Sequence, residues 1–241
     1  MTPEASPLMS IDSLLSLLQF SDGLFPAGGY AHSAGLETCV QSGAVTDSSG
    51  VETFIRAHLE GVAGPTDAVI LVCALHAAAA GNSDECFAQC LELDRRLDAI
   101  KAASEAREAS RQMGRQIVRV AGAIVGSPVI SAFVQAAQER TAPCHQAVIF
   151  GIVAAAFRWS PRDAAAAFLY SNTAQIVGAA LRLIPMGQLD GQRIIARLGP
   201  TIGRLATDAA GRDTVDAWSF APALEIAAMR HARLEARIFR S

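Results

Sequence analysis

Residues 160–184 read SPRDAAAAFLYSNTAQIVGAALRLI, and the reading of this stretch decides the fold. Ser160 places a side-chain acceptor just before Pro161, and proline suits the first helical turn because its missing N–H would have no partner there. Asp163, three residues after the serine, completes a capping arrangement. The alanine-rich run behind it is strong helix-forming text, so one long helix is predicted from Pro161 to Ile184. Ser127-Pro128 repeats the start signal.

Outward from this helix the apolar period stays helical nearly throughout, and no segment alternates cleanly enough for a strand. Ile11 to Phe20 predicts a short helix ended by Ser21-Asp22-Gly23, and a second runs from near Tyr30 to Ser42-Gly43. A third carries Val51, Phe54, Ile55, Leu59 and Val62 and closes at Gly64-Pro65; Pro65 then opens the next, running to about Ala80. Ser83 caps another, a long one spans about Ser104 to Val125, and one covers about Cys144 to Arg158. Gly191 to Ala210, capped by Asp190, and Pro222 to Arg237 complete the series. No linker composition or internal repeat divides the chain. The expectation is an all-α, single-domain bundle of about ten helices over residues 1–241, with 1–9 flexible.

The 241 residues are 51% hydrophobic and 18% charged, with a formal net charge of −3. That balance describes a globular protein with ample core and argues against a nucleic-acid partner, which a basic surface would favour. The most apolar stretches, Ala68 to Leu75 and Ala147 to Phe157, are shorter than the roughly 18–20 residues of a membrane span, so no membrane role is expected. No basic segment precedes the Leu14–Leu18 cluster, as a secretory signal would require. Five cysteines in apolar helical text fit reduced thiols and a cytoplasmic setting. Of the 20 basic residues only Lys101 is a lysine.

Enzymatic motifs are scarce. Lys101 follows Ile100, not glycine, so no Walker loop is present, and there is no His-Glu-x-x-His, paired Cys-x-x-Cys or nucleophile elbow. His58 and His76 share helix faces with apolar residues and read as satisfied interior or boundary histidines. Cys86 and Cys90 read as small apolar fillers. Cys144-His145, after Pro143, is the best metal-handling candidate, as a transient ligand pair. Arg107, Arg111, Arg115 and Arg119 recur every four residues; they read either as a solvated face paired with Glu105 and Glu108 or as a surface for an acidic partner.

Three segments depart from plain helical text. Residues 25–37 crowd a proline, three glycines, Tyr30, His32, Ser33 and Glu37 into thirteen positions, which suggests a backbone or contact requirement that helix formers do not meet. Residues 182–193 form a helix–turn–helix junction with Pro185 and Gly187 as stops and the Gln188 amide free for a neighbour. The end of the chain, with Arg230, Arg233, Arg237 and Arg240 beside Ile238 and Phe239, reads as a docking segment, since its apolar residues would otherwise be exposed.

Four blocks, Pro26 to Glu37, Glu105 to Gly114, Ala180 to Gln192 and Phe220 to Ser241, resemble in order the urease accessory protein UreF family. The likeness runs from Leu14 to the last residue. One departure is Ala232, where the family more often has glutamate after the histidine. The resemblance implies a non-enzymatic, all-helical factor for maturation of the nickel enzyme urease. Family members dimerise, bind UreD (also called UreH) and recruit the GTPase UreG, and the assembly passes nickel to apo-urease. It implies no stably bound cofactor, with nickel handled by the complex and GTP by the partner. Interaction residues carried over by the resemblance are Tyr30, His32, Ser33, Glu37, Gly187, Gln188, Arg233, Arg237, Phe239, Arg240 and Ser241. Glu37 would face the GTPase, the Arg240 tail would order against UreD, and Gly187 and Gln188 would lie at the GTPase-facing or dimer region. The rival reading is a small-molecule-binding helical enzyme with Tyr30, His32, Ser33 and Glu37 as an acid–base group.

Overall fold

Ser160 caps its helix as its sequence requires: the hydroxyl accepts the Asp163 N–H at 3.1 Å and donates to the Asp163 carboxylate at 2.7 Å. The computed structural model describes residues 9–241; most of the segment 1–9, expected to be flexible, lies outside the described residues. Eleven α-helices and no strand occur among the described residues: α1 (Ile11–Ser21), α2 (Leu36–Gln41), α3 (Ser48–His58), α4 (Val69–Ala79), α5 (Ser83–Ile100), α6 (Ser104–Ile124), α7 (Pro128–Glu139), α8 (Gln146–Ala156), α9 (Pro161–Leu183), α10 (Gln188–Ala210) and α11 (Pro222–His231). The all-α expectation holds.

The centre is built from the two most apolar helices. In α4 from Val69 to Leu75 every residue but Cys73 is buried, as is every one in α8 from Ala147 to Ala154, which is why neither stretch shows an amphipathic stripe. They pack on each other, α9 and α10 pair as a long hairpin beside them, and α6 closes over α8. The α6 contact is close enough to require glycine: a Cβ on Gly114 would stand 1.9 Å from the Cys144 carbonyl oxygen.

Several boundaries differ from expectation, each for a local reason. The helix expected from Tyr30 to Ser42 is two pieces, a 3-10 turn at Gly29–Ala31 and then α2, because Ala34 and Gly35 take left-handed φ values of 55° and 87° between them. Gly64-Pro65 does not break the chain. Residues Leu59–Ala68 wind as a π-helix that joins α3 to α4 into one rod. Pro65 has no N–H to give to the preceding turn, and the incoming chain supplies donors: Phe220 N–H to Gly61 O at 2.9 Å and Trp218 N–H to Pro65 O at 3.2 Å. Asn82, not Ser83, caps α5, and Gly187, not Asp190, precedes α10. The last helix stops at His231, short of Arg237, since the polar groups beyond it bond elsewhere.

The rod Ser48–Ala79 is long and apolar enough to cross a membrane by length and composition, but 67% of its apolar window is buried inside the fold. Cys86 and Cys90 are buried fillers, as read from sequence, whereas His76 is exposed rather than interior.

Candidate functional site

Glu37 sits in the first turn of α2 and is 0% exposed. Its carboxylate is the hub of a network that reaches the end of the chain. Oε1 accepts the Ile238 N–H at 2.7 Å and Oε2 accepts the Phe239 N–H at 3.1 Å. His231 Nε2 lies 2.9 Å from Glu37 Oε2, and its Nδ1 lies 2.7 Å from Glu105 Oε2 at the start of α6. The His231 ring thus bridges the two acids. Burial alone would push the Glu37 carboxyl up; the Ile238 N–H, the His231 ring and the Phe239 N–H outweigh it and hold the group below the usual carboxylate range.

The remaining contacts seat the tail on the segment 30–33. Arg240 N–H donates to Ala31 O at 2.8 Å, and the main-chain oxygen of Ser241 accepts from the Ser33 N–H at 2.5 Å and the Ser33 hydroxyl at 3.0 Å. His32 Nδ1 is 2.7 Å from Ser241 Oγ; burial, reinforced by the Arg240 charge, lowers the pKa of this ring. Phe239 is 4% exposed, worth about 2 kcal/mol by the removal of its ring from water. Arg182, on the last turn of α9, covers that ring: its guanidinium carbon stands 4.1 Å from the Phe239 centroid and 3.8 Å from that of Tyr30. Arg237 pairs with Glu105 at 3.1 Å. Gly35 lets α2 approach α11, since a Cβ there would meet Ala228 N at 3.1 Å on a left-handed backbone.

The sequence-predicted residues thus divide. His32, Ser33, Glu37, Phe239 and Ser241 are brought together and enclosed. Tyr30 is 73% exposed, and Arg233, Ile238 and Arg240 of the tail segment are exposed as well. Glu37, which the resemblance places toward the GTPase, is itself enclosed, and its carboxylate holds the tail. Because α11 ends at His231, Arg233, Arg237 and Arg240 do not continue a helix face from Arg230. Gly187 and Gln188 are exposed on the α9–α10 junction and make no contact with the tail network. Glu105 was read as a partner for arginines on its own helix; it serves His231 and Arg237 instead. Sequence reasoning assigned Arg182 no role at the corner, although its place two residues before the junction stop Ile184-Pro185 was visible.

Cys144 and His145 are fully buried and otherwise engaged. Both of their N–H groups are capped by Asp94 of α5, at 2.6 and 2.7 Å, and the two His145 ring nitrogens contact Ser110 at 3.0 Å and Asp98 at 2.9 Å. Burial pushes the Cys144 thiol up to about 12. With no lone pair or thiolate free, the pair is closed as a ligand set, and no group of three metal-binding side chains occurs among the described residues.

A cavity of about 230 Å³ opens between α1, α6 and α9. Tyr30, Phe25, Met113 and Phe168 line it, but His32, Ser33 and Glu37 do not. Of the acid–base group of the enzyme reading only Tyr30 reaches this cavity, so the four side chains do not converge on it.

The sequence model of the UreF family matches residues 45–199. The chain is 31% identical to the urease accessory protein UreF of Bacillus sp. (strain TB-90) over 231 residues, covering 96% of this chain and 100% of that protein. It is 31% identical to the UreF of Trichodesmium erythraeum over 229 residues, 95% and 97% of the two chains. The UreF of Paenarthrobacter aurescens is 30% identical over 233 residues, 97% and 100%.

Proposed function

The chain belongs to the urease accessory protein UreF family, and from that premise we propose that it is a scaffold for nickel insertion into urease that performs no covalent chemistry itself. In this reading it works in the cytoplasm as a homodimer, binds UreD (UreH), recruits UreG and presents the assembly to apo-urease. Nickel is cargo of the complex and GTP is hydrolysed by the partner. Coupling then arises from different affinities for the GTP and GDP forms of that partner.

One observation carries the proposal. The four sequence blocks that mark the family lie far apart in the chain, yet Glu37, Glu105, Arg182 and His231, one from each, meet at a single corner. Their charges and hydrogen bonds are consumed in holding the tail, which leaves Tyr30, Arg233, Ile238 and Arg240 facing outward. Such an arrangement builds a surface, and it leaves no free acid and base side by side for turnover.

The proposal is tested by mixing the chain with UreD, UreG, GTP, nickel and apo-urease. Urease activity is expected to rise only when the chain is present. Equal activation without it, or conversion of a small molecule by the isolated chain, would overturn the reading.

A further inference from the structure

The arginine series of α6 does not act as one face. Arg107 turns back to donate to the Lys101 carbonyl at 2.9 Å, and Arg111 is drawn to Asp98 of α5, with Nε at 2.7 Å. Arg115 is left with Glu108, two turns earlier on the same helix. A further arginine arrives from elsewhere: Arg140, in the left-handed position that ends α7, is exposed. It enters none of the ion pairs found among the described residues. Arg111, Arg115 and Arg140 line one cleft of about 820 Å³ together with Glu108, Gln138 and Thr141.

Glu108 shows what this cleft accepts. Its carboxylate lies between two guanidinium groups, in contact with Arg115 and 3.5 Å from Arg111, while its own side chain is 56% exposed. Exposed ion pairs of this kind are weak and exchange readily with other carboxylates. The whole chain carries a net charge of −3, so a cleft where arginines outnumber acids is a local feature, not a consequence of a basic protein. Guanidinium groups match carboxylates in a two-point fork. The backbone offers no matching cradle for phosphate, because the N–H groups of Arg140 and Thr141 both go to the Ala136 carbonyl.

We propose that this cleft is a docking site for an acidic segment of a partner protein, whose carboxylates displace Glu108 from Arg115 and pair with Arg140. Arg115 lies ten residues beyond Glu105, roughly 15 Å along the helix from the tail corner. The site is therefore separate from the surface described above and does not depend on the function proposed for it.

The experiment uses the full chain and a fluorescein-labelled hexaglutamate peptide, read by fluorescence anisotropy. Binding is expected to weaken steadily as salt rises from about 0.05 to about 0.5 M. Glu108→Gln is expected to tighten binding about threefold, and Arg115→Gln and Arg140→Gln each to weaken it about threefold. Arg162→Gln, on the exposed start of α9, is the control and should change nothing. The proposal is overturned if Glu108→Gln fails to tighten binding, or if Arg162→Gln costs as much as Arg140→Gln. It is equally overturned if pyrophosphate or a single-stranded oligonucleotide, and not the peptide, shows the dependence on Arg115 and Arg140.

Discussion

Glu37 was conspicuous in the sequence by its company of glycines and polar residues, but its task was not readable there. Its partners Ile238, Phe239 and His231 lie some two hundred positions away, and no local period links them. Glu37→Ala strands two main-chain donors and the His231 ring, and removing one side of a buried charged network costs about 3 kcal/mol. The tail is then expected to undock, and limited trypsin digestion at Arg233 and Arg237 should become markedly faster than in the wild type; an unchanged rate would remove Glu37 from the latch. Because the Glu37 carboxyl is held below its ordinary value, its contribution is complete at neutral pH and is lost only as pH falls through that depressed value. His145 works in a different window. Burial lowers its ring from 6.5 to about 4, so between those values the unfolded chain binds the proton and the folded chain does not. Stability is therefore full above about pH 6.5 and falls toward pH 4, by about 3 kcal/mol from this ring alone. Asp94, raised to about 6 by burial, acts in the opposite sense over part of the same range. The urea midpoint is expected to fall between pH 7 and pH 5, and His145→Asn should shrink that fall.

At the scale of helices, the caps and periods carried far. Ser127 and Ser160 start their helices where the Ser-Pro pairs stand, and α1, α6 and α9 end within a residue or so of their expected limits. What escaped was any boundary set from a distance. The π-helical Leu59–Ala68 exists because residues 218–220 satisfy its carbonyls, and α8 starts at Gln146 because Asp94 of another helix caps the turn before it. Neither donor nor acceptor is near in sequence. Contact distances between helices are legible only when a residue forbids the alternative. Gly114 is such a residue: on the sequence it is a weak spot in α6, and in the fold it permits the Cys144 carbonyl to approach. Gly114→Ala should improve helix propensity by roughly 1 kcal/mol yet lower net stability by about 1–3 kcal/mol through overpacking. A melting temperature at or above that of the wild type would show that α8 can shift instead.

For the whole molecule, the resemblance blocks come together at one corner of the fold. The N-terminal block and the tail, which the resemblance assigns to two partners, pack against each other, with Tyr30, Arg233, Ile238 and Arg240 exposed and the Glu37 network beneath. A single apolar cue, Phe239 at a chain end, announced that the tail docks, but the sequence could not say that its seat is on the same chain. If the seated tail is what UreD meets, then losing the tail removes the binding site while the helical body stays folded. The direct measurement is isothermal calorimetry of UreD against the chain lacking Arg237 to Ser241, with unchanged far-ultraviolet circular dichroism as the check on folding. The account predicts binding to the full chain and none to the shortened one; equal affinity for both would contradict it.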